Sequence, residues 1–168
     1  MSPAKLEIAT FAAGCFWHVE EAFMRIRGVI KTTVGYTGGH SGHMEAPTYK
    51  DVCSDATGHA EAVEIEFNSK QVSYEDLLNR FWEIHDPSSC HKQGPDTGSQ
   101  YRAVIFYHDE KQKLAAISSK NKLQKSEKYK NKKIVTEIVK ASKFYPAEEY
   151  HQKYFEKHKL QKMFMCRM

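Results

Sequence analysis

The feature that most constrains this chain is the way stretches of strand periodicity alternate with stretches of helical periodicity. Leu6 to Phe11 reads as a short strand that stops at Ala12-Ala13-Gly14. Val19, Ala22, Phe23 and Ile26 then recur at helical intervals until Gly28. Val29 to Val34 and Ala60 to Phe67 read as strands. Ser73 to His85 reads as an amphipathic helix with Tyr74, Leu77, Leu78, Phe81, Trp82 and His85 on one face and Ser73 as its N-cap. Further on, Tyr101 to Tyr107 is a predicted strand, Asp109 to about Ser126 a lysine-rich helix, Ile134 to Val139 a strand, and Ala147 to His158 a last helix. Strands alternating with helices, without repeats or linkers, predict an α/β or α+β two-layer domain, a single one over 1–168.

Composition supports this and removes other classes. A chain of 168 residues with 40% hydrophobic and 27% charged residues can bury a core without disulfides. No apolar run approaches the ~18 residues of a membrane span. Met1 to Lys5 does not resemble a secretory signal, so a cytoplasmic location is expected. The net charge of +4 is unevenly spread: residues 1–99 hold 8 Lys/Arg against 14 Asp/Glu, and residues 100–168 hold 17 against 7. The segment Lys111 to Lys133 carries nine lysines and, of aromatics, only Tyr129, which reads as a solvated helix face rather than a nucleic-acid surface.

Two long glycine-containing loops, Gly35 to Pro47 and Asp86 to Gln100, are the natural carriers of chemistry. Cys15 follows a strand and a glycine at the mouth of the first helix. Outward-pointing N–H groups and the helix dipole favour a thiolate there, although a free cysteine is also a common packing residue. Glu61 has the parity of Val63, Ile65 and Phe67, opposite to Glu64 and Glu66. It is either a desolvated acid on the core face or a strand-end residue that escapes to water or pairs with Arg102. Four cysteines (Cys15, Cys53, Cys90, Cys166) lie far apart with no C-x-x-C pair. Histidines 40, 43, 59, 85 and 91 lack metal-ligand spacing, so no metal is expected. His85, on the apolar stripe of its helix, reads as a satisfied bracing histidine.

The motifs in order resemble one family, the A-type peptide methionine sulfoxide reductases. They are Gly14-Cys15-Phe16-Trp17; Gly35-Tyr36-Thr37-Gly38-Gly39; Pro47-Thr48-Tyr49; Val52-Cys53-Ser54; Thr57-Gly58-His59-Ala60-Glu61-Ala62-Val63; Phe81-Trp82 with His85-Asp86-Pro87; Gln93-Gly94 with Asp96, Gly98 and Gln100-Tyr101-Arg102; and Phe144-Tyr145 with Ala147-Glu148 and His151-Gln152. The resemblance implies an α+β two-layer sandwich in one catalytic domain over 1–168, with a mixed sheet, a ferredoxin-like core and 159–168 as a mobile tail. It also implies reduction of methionine S-sulfoxide, free or in peptides, through a sulfenic acid on Cys15. In that scheme Glu61 supplies the proton and Tyr49 and Tyr101 donate to the sulfoxide oxygen. Phe16 and Trp17 cradle the methyl group, and Asp96 lines the site. It further implies a second, resolving thiol, Cys166 in the tail or alternatively Cys90, and an external reductant, thioredoxin or dithiothreitol, in place of a cofactor. Cys53 is expected to be an unreactive packing residue and the protein a monomer with no nucleic-acid or membrane partner. His18, Ala46 and Pro95 depart from the usual Gly, Asn and Asn, and the Gly39 to Pro47 connection looks longer than usual.

Overall fold

A computed structural model describes residues 3–40 and 46–159. Its elements are β1 (Leu6–Ala13), α1 (Phe16–Met24), β2 (Val29–Thr37), α2 (Tyr49–Cys53), β3 (Ala60–Asn68), α3 (Tyr74–Glu83), β4 (Lys92–Gln93), β5 (Asp96–Thr97), β6 (Ala103–Tyr107), α4 (Glu110–Gln124), β7 (Glu137–Lys140), β8 (Tyr145–Pro146) and α5 (Tyr154–Lys157). Six strands form one sheet in the order β7-β6-β1-β3-β2-β8, and β4 and β5 pair as a separate hairpin. Only the β6–β7 pairing is parallel. The succession β1-α1-β2-β3-α3-β6, with spatial order β6-β1-β3-β2, is the ferredoxin-like core implied by the sequence.

Period-2 patterning divides the sheet into two faces. Ala9, Phe11 and Ala13 of β1, Val63, Ile65 and Phe67 of β3, and Ala103 and Ile105 of β6 point to the helices and join Val19, Phe23, Leu77, Leu78 and Phe81 in the main core. At its centre Phe11 packs 5.3 Å from Phe23 and 5.2 Å from Phe81, ring centre to ring centre. Each such side chain contributes roughly 1.5–3 kcal/mol by leaving water. The opposite face is thinner: Ala12, Ala60, Ala62, Val104 and Phe106 are covered by Val139, Ala141 and Phe144. The helix starts follow local chemistry. Ser73 and Asp76 form a reciprocal capping box on α3, and the Asp109 side chain accepts the Gln112 N–H on α4.

Three elements differ from expectation. The strand placed at Ile134–Val139 begins at Glu137, because the Gln124 side chain instead accepts the Ile134 N–H at 2.9 Å. The strand placed at Tyr101–Tyr107 begins at Ala103, since Ser99–Tyr101 closes a 3₁₀ turn. The last predicted helix, Ala147 to His158, is replaced by a 3₁₀ turn at Glu149–His151 and the short α5. A helix cannot continue through Lys153, whose φ is +50°. Nor is Gln152 free to extend one, because its side-chain amide pairs with both the N–H and the C=O of Val34, each at 2.9 Å. Conversely, α2 was not foreseen. Thr48 and Asp51 close a capping box around its first turn, a sequence signal that lies inside what reads as loop.

Candidate active site

The end of β1 delivers Cys15 to the start of α1. Gly14 makes the turn at φ +89°, and a Cβ there would run into the Cβ of Gln93. The absence of a side chain therefore lets the β4–β5 hairpin lie across the residue before Cys15. Gln93 is itself held by Asp86, whose backbone N–H it accepts at 3.0 Å and whose carbonyl it bonds at 2.9 Å.

Cys15 is partly buried, and its sulfur accepts the backbone N–H groups of Trp17 and His18. These donors favour the thiolate, as the sequence suggested. Burial and the neighbouring Glu61 carboxylate outweigh them and push the thiol well above the ordinary cysteine range. The expectation of a resting thiolate is therefore corrected: the dipole at a helix start does not offset desolvation beside a second acid.

Glu61 projects from β3 toward the helices and is 1% exposed. Its Oε2 accepts the Phe16 backbone N–H at 3.1 Å, which places the carboxyl against the peptide that follows Cys15. Burial pushes its pKa up to about 8, with the charge of Asp96 adding to the rise and the Phe16 bond opposing it. Pairing with Arg102 does not occur. That guanidinium bonds the carbonyls of Ser99, Gly38 and Gly58 and lies 3.5 Å from Glu137.

Tyr49 opens α2 and Tyr101 closes the 3₁₀ turn, and their hydroxyls share a hydrogen bond. Burial holds both phenols above their usual range, Tyr101 at about 12, and each feels the Glu61 charge. The charges of Cys15 and Asp96 also reach Tyr101. Asp96, on β5, is half-buried and shifted upward by burial, with His18 opposing. Phe16 is 1% exposed and Trp17 half-buried. The Trp17 indole lies flat on Tyr154, with ring centres 3.7 Å apart and planes 6° from parallel.

The structure thus gathers Cys15, Phe16, Trp17, Glu61, Tyr49, Asp96 and Tyr101 around the start of α1. Cys90 sits exposed in the segment leading into the hairpin, and Cys166 lies outside the described residues. Cys53 was expected to pack but is exposed, its thiol hydrogen-bonded to the Tyr49 hydroxyl, because it occupies the last position of a one-turn helix at the surface. His85 braces through Nδ1, 2.6 Å from the Phe81 carbonyl, but it is not the fully satisfied residue expected, since its Nε2 is buried without a hydrogen-bond partner among the described residues. Among the described residues no group of three His, Cys, Asp or Glu could hold a metal ion, and no helix is long and apolar enough to cross a membrane. Sequence reasoning gave no role to His151, Glu148 and Tyr154, although the motif from Phe144 to Gln152 contains the first two. Reading Ala147 to His158 as one helix hid the meeting of His151 and Tyr154 on Trp17, with Glu148 beside His151.

The family model of peptide methionine sulfoxide reductase matches residues 7–168. A peptide methionine sulfoxide reductase MsrA of Methanosarcina acetivorans is 60% identical over 152 residues, 90% of this chain and 79% of its own. Among solved structures, Mxr1 from Saccharomyces cerevisiae in reduced form superimposes with a TM-score of 0.86 at 35% identity, covering 95% of this chain and 89% of that one. Mxr1 in complex with Trx2 superimposes with a TM-score of 0.62 at 26% identity, over 91% and 87% of the two chains. Sequence and architecture agree from β1 onward, and the chain belongs to the peptide methionine sulfoxide reductase family.

Proposed function

We infer that Cys15 is the nucleophile in the reduction of methionine S-sulfoxide, free or in peptides, and that Glu61 is its acid. The observation that carries this is the buried Glu61 carboxyl bonded to the Phe16 N–H, the peptide that follows Cys15, where burial pushes its pKa up to about 8. A sulfoxide sulfur becomes electrophilic when its oxygen is protonated or hydrogen-bonded. Glu61 gives its proton to that oxygen while Tyr49 and Tyr101 donate hydrogen bonds to it, and the Cys15 sulfur attacks. The thiol proton restores Glu61. The sulfur–oxygen bond of the substrate is exchanged for one on Cys15, so that thiol plus sulfoxide gives sulfenic acid plus methionine, with all atoms and electrons accounted for. A raised thiol pKa suits this scheme, because the proton needed to recharge Glu61 is kept in the site until the reaction begins. Phe16 and Trp17 form the wall for the methyl group and so favour the S epimer, and Asp96 lines the mouth.

Cys166 then resolves the sulfenic acid as a disulfide. Lys159, the last described residue, is five positions past Tyr154, which stacks on Trp17. The seven residues from there to Cys166 span at most about 25 Å when extended. Cys90 is the rival resolver, since its exposed segment leads into the hairpin over Gly14. Thioredoxin is the reductant in this reading, supported by the yeast relative solved with Trx2. The chain acts as a cytoplasmic monomer with one catalytic domain and no bound cofactor. The decisive test is Cys15→Ser with dithiothreitol as reductant: reduction is abolished, and retained activity would overturn the assignment.

A further inference from the structure

We propose that His151 is a positioning residue of this site, its Nδ1 fixing the Trp17 indole in the orientation that walls the methyl pocket. This rests on reading Trp17 as that wall. The Trp17 Nε1–H donates to His151 Nδ1 at 3.1 Å. An indole nitrogen can only donate, so Nδ1 is the bare nitrogen and the neutral ring carries its proton on Nε2. His151 is 1% exposed, and burial keeps its pKa below the ordinary histidine value, with Glu148 opposing.

The imidazole stands at the centre of the residues assigned to the substrate. Its ring centre is 5.1 Å from Phe16, 5.7 Å from Trp17 and 4.6 Å from Tyr49. Packing alone does not account for a histidine here. Its Nε2 is buried without a hydrogen-bond partner among the described residues, and the nearest carboxylate oxygen, on Glu148, is 3.8 Å away. An unpaired buried N–H is costly, and a leucine or phenylalanine would avoid that cost. What a histidine of this tautomer supplies, and a leucine or phenylalanine does not, is an acceptor for the indole.

The backbone is anchored to hold that acceptor still. Gln152 ties the segment to both polar groups of Val34, and the Lys153 N–H donates to Glu20 Oε2 at 2.9 Å. Glu20 is a buried carboxylate of α1, the helix that carries Trp17, and it also accepts the Thr32 hydroxyl at 2.8 Å. The segment of His151 is therefore anchored to the helix that carries Trp17, and Tyr154 stacks on one face of the indole.

The test combines a double-mutant cycle with a spectroscopic readout. With dithiothreitol as reductant and methionine S-sulfoxide as substrate, Trp17→Phe and His151→Leu each lower kcat/KM by about tenfold or more. The double variant falls within about twofold of Trp17→Phe alone, because the histidine acts through the indole. In a Trp82→Phe background, where Trp17 is the sole tryptophan, His151→Leu shifts the emission to the red and opens it to acrylamide quenching. Losses that multiply in the double variant, or unchanged Trp17 emission, overturn the proposal. Unchanged kinetics in Trp17→Phe would instead overturn the reading of Trp17 as the methyl wall, and the emission shift would still report the contact. Should His151→Leu fail to fold, His151→Asn and His151→Gln decide. The Asn oxygen falls near the position of Nδ1 and retains activity within about threefold, whereas Gln reaches toward Nε2 and does not. Equal losses in the two contradict the proposal.

Discussion

Glu61 and Cys15 hold their protons for the same reason, burial beside one another, and that coupling gives the site its pH dependence. Glu61 titrates near 8, so the acid-competent fraction is high at neutral pH and falls as pH rises through 8. The rate of methionine release in a single turnover without reductant should follow that fall. Glu61→Gln should remove activity at every pH. Stability has the same sign. The folded carboxyl keeps a proton that the unfolded chain, with its ordinary value of 4.5, releases. Its contribution is complete below that value and is lost as pH rises toward 8, with a slope of at most ~1.4 kcal/mol per pH unit. Glu61→Gln should therefore have a higher Tm than the parent near pH 8, with the advantage shrinking toward pH 5; thermal melts across that range check it. Cys15 and Glu61 stand out as candidates in the sequence, because a cysteine after strand and glycine and a carboxylate of core parity are local signals. Their protonation was not legible there, since it depends on Phe16, Asp96 and Glu61 meeting in space.

At the scale of elements, strands β1, β2, β3 and β6 and helices α1, α3 and α4 were readable from periodicity and caps. The pieces that finish the site were less so. A one-turn helix such as α2 and a two-residue strand such as β8 carry too few residues for a period. Their positions come from long-range bonds: Gly35 pairs with Pro146 in the ladder, and the Ala147 N–H donates to Val34. Gly35 shows how tightly this edge is built. A Cβ at that position would overlap the Tyr145 carbonyl oxygen and the Phe144 ring, and a backbone atom cannot rotate away. Gly35→Ala should cost about 1–3 kcal/mol by urea unfolding. It should also lower kcat/KM, because β8 leads directly into the segment that carries Glu148 and His151. Wild-type stability in this variant would show that β8 is loosely held.

For the whole molecule, the uneven charge has little to do with the chemistry proposed. The positive excess belongs to residues 100–168, whereas Cys15, Tyr49, Glu61 and Asp96 belong to the acidic part, with Tyr101 just past the boundary. Cysteine usage is the more informative global property. Thiols with no paired motif fit a disulfide that forms only during turnover. Cys166→Ser should leave dithiothreitol-driven reduction within about twofold of the parent while thioredoxin-driven reduction drops by at least about tenfold. If Cys90→Ser gives that pattern instead, Cys90 is the resolver. The central claim is that the Cys15 sulfur takes the oxygen from the substrate. Mass spectrometry of the Cys166→Ser, Cys90→Ser protein after one turnover of methionine S-sulfoxide, without reductant and with dimedone present, tests it most directly. One equivalent of methionine and a dimedone adduct confined to Cys15 are expected; methionine released with Cys15 still a free thiol would contradict oxygen transfer to that sulfur.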